Sequence, residues 1–204
     1  MAPAIYQEPR VHAHNHEISG PLVEPAATTL FLMVGLPGAG KTTVAQQMAM
    51  SHHALRLTPD EWHLPLFDQS LTADGKRDIL EGRLITVALR MLRLGTSVVL
   101  DFGLWGRDER SALRWLADEA GVLCQVVYLP VELDVQLARI AYRKATTPGT
   151  FPMPEADVVS WRNQFQAPDA AELAGEVIPR TPQGWSTWLA WAVDRWPTLD
   201  AYAT

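Results

Sequence analysis

Residues 35 to 43 read Gly35-Leu36-Pro37-Gly38-Ala39-Gly40-Lys41-Thr42-Thr43. Glycines, a lysine and a hydroxyl in that spacing can hold an anion. Without a Cβ, a loop can wrap closely around a phosphate. Successive backbone N–H groups of such a loop converge and form an anion nest. A helix starting at Lys41 brings the positive end of its dipole beneath the same point. Lys41 can then reach the β- and γ-phosphates of a nucleotide, and the Thr42 hydroxyl suits a magnesium ion. The stretch satisfies G-x-x-x-x-G-K-[ST] at every fixed position. The strand-like run LFLMV precedes it and the helix-compatible TTVAQQMAM follows. Gly35, Pro37, Gly38, Ala39, Gly40, Lys41, Thr42 and Thr43 are therefore expected to bind a nucleoside triphosphate with Mg²⁺. ATP is expected rather than GTP, because no N-K-x-D-like guanine-reading motif is present.

Two carboxylates could join that site. Thr58-Pro59-Asp60-Glu61-Trp62 follows a short apolar run, ALRL. At the carboxyl end of a parallel strand, Asp60 would stand near the γ-phosphate and could take a proton from an acceptor hydroxyl. The same residues are also good helix-capping chemistry, so a purely structural role for Thr58 or Asp60 stays open. Val98-Val99-Leu100-Asp101 is an apolar strand ending in an acid, the pattern that holds Mg²⁺ directly or through water.

Arginines supply the complementary charge. Arg107 and Arg110 lie three apart at the start of a helix-like segment, either an acceptor- or phosphate-binding pair or a solvated face. Arg139 and Arg143 lie four apart and share a face. A guanidinium on a closing lid can neutralise charge on a transferring phosphoryl group, and Arg can also stack on adenine. Trp62, His63, Leu64, Leu66 and Phe67 follow Asp60, and Trp105 follows Asp101. Such residues suit an acceptor with sugar or ring faces, and they equally suit core packing.

The elements that must position these residues follow from periodicity. Strands are expected over residues 29–34, 54–57, 96–102, 122–129 and 175–179. Helices are expected over 41–52, 74–94, 108–120, 131–144, from Glu155, and over 184–195, where Trp185, Trp188, Trp191 and Trp196 would pack a last helix onto the sheet. This alternation predicts an α/β fold with a five-stranded parallel sheet flanked by helices, its strands buried on both faces. Residues 1–27 lack periodicity and read as a flexible arm, leaving residues 28–204 as one domain. The Pro- and Gly-rich stretch 148–154 suggests a flap within a lid spanning about 144–168.

Composition bounds the function. A 204-residue chain with 48% hydrophobic and 20% charged residues can build one substantial core. The net charge of −6 argues against a long nucleic-acid partner. The single cysteine, Cys124, cannot close an internal disulfide, which suits a reducing compartment. No apolar run approaches the length of a membrane-spanning helix, so a cytoplasmic location is expected.

Taken together, GLPGAGKTT, LTPDEW, VVLDFGLWGRDER, LARIAYRK and the TPGTFP flap resemble the small P-loop kinases often labelled AAA family ATPases. These are similar to chloramphenicol phosphotransferase, the zeta toxins and the phage polynucleotide kinase. The resemblance spans roughly residues 29–180. It implies that Asp60 acts as base toward a hydroxyl, that Arg143 is the lid arginine stabilising transfer, and that Arg139 lies near the adenine. Asp101-Phe102-Gly103-Leu104 replaces the Asp-x-Thr-Asn often found in polynucleotide-acting relatives, which weakens that substrate reading. The leading expectation is an ATP-dependent kinase acting on a hydroxyl of a small molecule: a nucleoside, sugar or antibiotic. Catalysis falls to Lys41, Asp60, Arg139 and Arg143. Acceptor contacts are expected from Asp60, Trp62, Asp101, Trp105, Arg107 and Arg110, and Mg²⁺ ligation from Thr42 and Asp101. The alternatives are a polynucleotide 5′-hydroxyl kinase, a zeta-toxin-like kinase, and an ATP-binding regulatory module with slow hydrolysis.

Overall fold

The computed structural model describes residues 27–67, 75–147 and 152–200. Residues 1–26 of the expected arm and 148–151 of the expected flap lie outside the described residues. Within them, β1 (Thr29–Val34) leads into α1 (Lys41–Ser51), β2 (Leu55–Leu57) and α2 (Pro59–Phe67). Then come α3 (Lys76–Arg93), β3 (Val98–Gly103), α4 (Arg107–Glu119) and β4 (Leu123–Tyr128). The chain continues through α5 (Leu133–Thr146), α6 (Glu155–Gln164), α7 (Ala170–Leu173) and α8 (Trp188–Arg195).

The strands form a parallel sheet in the order β2-β3-β1-β4. Successive strand side chains point to opposite faces. Leu30, Leu32 and Val34 of β1, with Val98, Leu100 and Phe102 of β3, join a core completed by Leu84, Leu89 and Leu113 from α3 and α4. Phe31, Met33 and Val99 face the other way and pack with Ala45 of α1. Both faces are therefore covered, which is why these strands read as continuous apolar runs. The same alternation puts Asp101 on the Val99 face, the face that α1 covers, and so directs it toward the start of that helix.

The sheet has four strands among the described residues, and the strand expected over 175–179 does not form. There Gly175 adopts φ 73 and Val177 is 94% exposed, while Ile178 packs against the core without strand pairing. Its Glu176 carbonyl instead accepts a hydrogen bond from the Arg114 guanidinium of α4. The last helix is shorter than expected and packs on α4 rather than directly on the sheet. Trp188 and Trp196 are nonetheless part of the main core. Cys124 packs at the margin of that core, and burial pushes its thiol up to about 12.

Trp196 is fully buried, and its indole N–H donates to Glu81 Oε2 at 3.1 Å. Trp196→Ala leaves a large cavity and removes a partner from a buried carboxylate. It should cost about 3–5 kcal/mol of stability, read by urea denaturation followed by circular dichroism.

Candidate functional site

The carboxyl ends of the strands open into a cavity of about 640 Å³. One end is built by the loop between β1 and α1. Gly35 N–H donates to the Gly103 carbonyl at 3.2 Å, and Leu129 N–H donates to the Val34 carbonyl at 2.9 Å, so the loop leaves β1 pinned on both sides. A Cβ on Gly35 would meet the Leu129 carbonyl oxygen at 2.8 Å, and Gly38 holds φ 80, a left-handed conformation that side chains disfavour. Helix α5 clamps this loop from outside. Gln136, wholly buried, donates to the Pro37 carbonyl at 2.9 Å, and Arg139 Nη1 donates to the Gly38 carbonyl at 3.1 Å. Arg162 of α6 holds Gln136 in turn, at 2.8 Å from its Oε1.

Pro37, Gly38, Gly40, Lys41, Thr42, Thr43, Asp101, Arg139 and Arg143 all line the cavity. Gly35 and Ala39 lie behind it, shaping the loop rather than facing the space. Lys41 Nζ donates to the Leu36 carbonyl at 3.0 Å. Burial lowers the pKa of Lys41, and the fields of Asp101 and Asp60 oppose that shift. Thr42 and Asp101 present a hydroxyl and a carboxylate to one space. Hard oxygen donors of this kind fit Mg²⁺, so these two residues could hold it. The Asp101 carboxylate is also bound from β2. Arg56 Nε and Nη2 reach its Oδ2 at 3.2 and 3.0 Å, while Arg56 Nη1 pairs with Glu61 of α2 at 2.6 Å. Arg56 thus ties the acid of β3 to the helix that carries Asp60.

Asp60 lies in the first turn of α2, with its carboxylate largely exposed to the cavity. Its Oδ1 accepts from Arg77 Nη1 of α3 at 3.2 Å. Arg77 also donates to Glu81 Oε1 at 2.7 Å and to the Phe102 carbonyl at 3.2 Å. Burial alone would lower its pKa, but Glu81 and Asp60 outweigh that and raise it. Glu81, Glu109 of α4 and Arg195 of α8 complete a charged wall beyond Asp60. Glu109 Oε1 accepts from Arg195 Nε and Nη2 at 3.0 and 2.8 Å. Phe102, Trp105, Met153 and Trp161 also line the cavity, with the two indole rings 6.0 Å apart.

Three of the expected acceptor-binding residues are not brought to this cavity. Trp62 is 48% exposed and outside its lining. Arg107 pairs with Asp169 at 3.0 Å. Arg110 is wholly buried, its guanidinium paired with both carboxylate oxygens of Glu172 and donating to the Leu104 and Trp105 carbonyls. A charge taken so far from water must be fully paired, and these contacts do that. Arg110 instead holds the turn after β3, where Leu104 takes the left-handed φ of 41, and so sets the backbone of Trp105. His63 is buried, its ring 5.0 Å from that of Phe67.

The residues that sequence reasoning missed are Arg56, Arg77, Glu81, Glu109, Gln136, Trp161 and Arg195. Only Arg77 and Glu81 carried a local signal, an opposite-charge pair at i,i+4.

The sequence pattern and this geometry agree with a family comparison. Residues 30–168 match the AAA_33 family, described as an AAA domain. The chain belongs to the AAA_33 family. The fold of this AAA_33 chain also resembles solved P-loop kinase structures. A candidate kinase from Chloroflexus aurantiacus J-10-fl aligns with a TM-score of 0.54 at 20% identity, covering 86% of this chain and 100% of that one. A sugar kinase from Janibacter sp. HTCC2649 aligns with a TM-score of 0.50 at 19% identity, covering 71% of this chain and 81% of that one. A chain of the Pnkp1/Rnl/Hen1 RNA repair complex gives a TM-score of 0.55 at 17% identity over 72% of this chain, which spans 46% of that longer chain. No helix among the described residues is long and apolar enough to cross a membrane.

Two measurements probe the charged groups. Glu172→Ala strands the buried Arg110 and should cost about 3–5 kcal/mol in urea denaturation. Burial pushes the Glu81 carboxyl above its ordinary 4.5, against the pull of Arg77. A carboxyl raised in the folded state gives up its proton first in the unfolded chain, so stability is lost as pH rises through that window. Glu81→Gln has no such proton. Its melting temperature relative to wild type should therefore improve as pH rises from 4.5 toward neutral.

Proposed function

We propose that this protein is an ATP-dependent phosphotransferase that moves the γ-phosphate to a hydroxyl of a small molecule. The observation that carries this reading is the shared cavity: the phosphate-binding loop, Asp60 and a further set of charged and aromatic side chains line one space. A site used only to sense a nucleotide would need no such additional lining.

In this reading the loop N–H groups and Lys41 hold the β- and γ-phosphates. The acceptor hydroxyl lies against Asp60, whose carboxylate takes its proton as the oxygen attacks the γ-phosphorus. The bond from phosphorus to the β,γ-bridging oxygen breaks, and ADP leaves. Arg77 holds the Asp60 carboxylate in place from α3. Lys41, Arg139 and Arg143 neutralise charge on the transferring group. Thr42 and Asp101 would hold Mg²⁺, which when bound shields the phosphate oxygens from the incoming hydroxyl. Residues 28–204 then form one kinase domain. The segment 144–168 acts as its lid, bringing Trp161 and Met153 over the acceptor.

The test is phosphoryl transfer from labelled ATP to hydroxyl compounds, with Lys41→Ala and Asp60→Asn beside wild type. Asp60→Asn should bind ATP normally and lower kcat by about 10²–10⁴-fold, the usual range for a lost general base. Transfer within a few-fold of wild type would show that Asp60 is not the base.

A further inference from the structure

We infer that the acceptor is an uncharged, polyhydroxylated ring compound, of the monosaccharide or nucleoside class, rather than one already carrying phosphate or carboxylate. This rests on the phosphotransfer reading of the site and narrows its substrate.

The argument is charge compensation. The chamber beyond Asp60 contains two guanidinium groups, and both are already paired. Arg77 is held by Asp60 and Glu81. Arg195 is held by Glu109 at 2.8 Å and by Asp78 at 2.5 Å. The lining carboxylates Asp60, Glu81 and Glu109 outnumber these two cations. An anionic acceptor would have to break an ion pair or lie against a carboxylate, and like-charge juxtaposition costs several kcal/mol. The other lining cations, Lys41, Arg139 and Arg143, belong to the phosphate loop or to the α5 helix that clamps it, and in this reading the nucleotide phosphates occupy them.

The same wall suits neutral hydroxyl groups. Each guanidinium has five N–H donors. The hydrogen bonds and ion pairs of Arg77 use three of them, as do those of Arg195. The remaining N–H groups can donate to hydroxyl oxygens without disturbing the charge balance. The carboxylates have less to offer. Glu81 is bonded to Arg77 and the Trp196 indole, and Glu109 to Arg195 and the Gly106 N–H. This wall therefore reads oxygen acceptors chiefly through guanidinium donors. In the same cavity, the Trp105 and Trp161 indoles supply aromatic surface on which the apolar face of a ring can pack.

The experiment measures binding by isothermal titration calorimetry, with ADP and magnesium present to fill the phosphate end. The ligands are pyranoses, furanoses and nucleosides, each beside its own phosphate monoester, with a 5′-hydroxyl oligonucleotide as the polyanionic arm. A neutral ring should bind about tenfold or more tightly than its monoester. Trp161→Ala should abolish that binding. Glu109→Gln, which removes one lining carboxylate and leaves Arg195 paired with Asp78 alone, should narrow the gap several-fold while keeping the acceptor for the Gly106 N–H. Both variants are first checked for an unchanged melting temperature, and Glu109→Gln decides the matter if Trp161→Ala fails to fold. Monoesters or the oligonucleotide binding as tightly as the neutral rings would overturn the inference, as would no ring binding at all. Labelled ATP in parallel samples separates the two readings. Neutral-ring binding without transfer keeps this inference and removes the phosphotransferase. Transfer to a monoester does the reverse.

Discussion

The candidate site depends on β1 being hydrogen-bonded to a parallel strand on each side. With β3 on one flank and β4 on the other, the strand cannot shift without breaking both ladders. Its carboxyl end is a fixed point from which the loop 35–40 departs, and the first residues of that loop are tied to the same neighbours. Gly35 is bound to the end of β3, and Leu129, just past β4, is bound to Val34. An anion nest works only if its N–H groups are held converged before the anion arrives. Here the convergence follows from strand pairing and from the α5 clamp of Gln136 and Arg139, so the loop need not be rigid by itself.

The second constraint is electrostatic. The protein gathers Asp60, Glu81, Asp101 and Glu109 around one cavity, and each is joined to an arginine, from another element for Asp60, Asp101 and Glu109 and from the preceding turn of α3 for Glu81. Arg56 comes from β2, Arg77 from α3 and Arg195 from α8. These bonds orient the carboxylates toward the cavity, and at the buried Arg56–Asp101 pair removing either partner would strand the other. They also explain why α8, far from the phosphate loop in sequence, belongs to the site at all. Arg110 and Glu172 apply the same logic outside the cavity, where they fix the turn that carries Trp105.

What was legible in the sequence were the features encoded by neighbours along the chain. The 35–43 loop, the acid ending VVLD and the apolar alternation of the strands each follow from spacing, and the helices at 41–51, 76–93 and 133–146 were expected within a few residues. The GEVIP run was misleading, because a short apolar sequence becomes a strand only if an edge is available to pair with it. Arg110 was misleading for a related reason. An arginine near a helix start looks the same whether it meets solvent, a ligand or a buried glutamate 62 positions away. Arg195 left almost no trace, since its meaning comes from partners, Asp78 and Glu109, that only the folded chain supplies.

These two constraints act on one cavity. The phosphate loop is held by backbone geometry, and its cations can be met by any nucleotide. The far end is held by side-chain ion pairs, each a specific choice of residue on a specific helix. Backbone geometry survives most substitutions that preserve the sheet, whereas an ion pair is lost with a single residue. A chain of this architecture can therefore keep its donor site unchanged while Arg77, Glu81, Glu109 or Arg195 is exchanged. Acceptor choice should follow the charge balance of that wall rather than the loop that makes the fold recognisable.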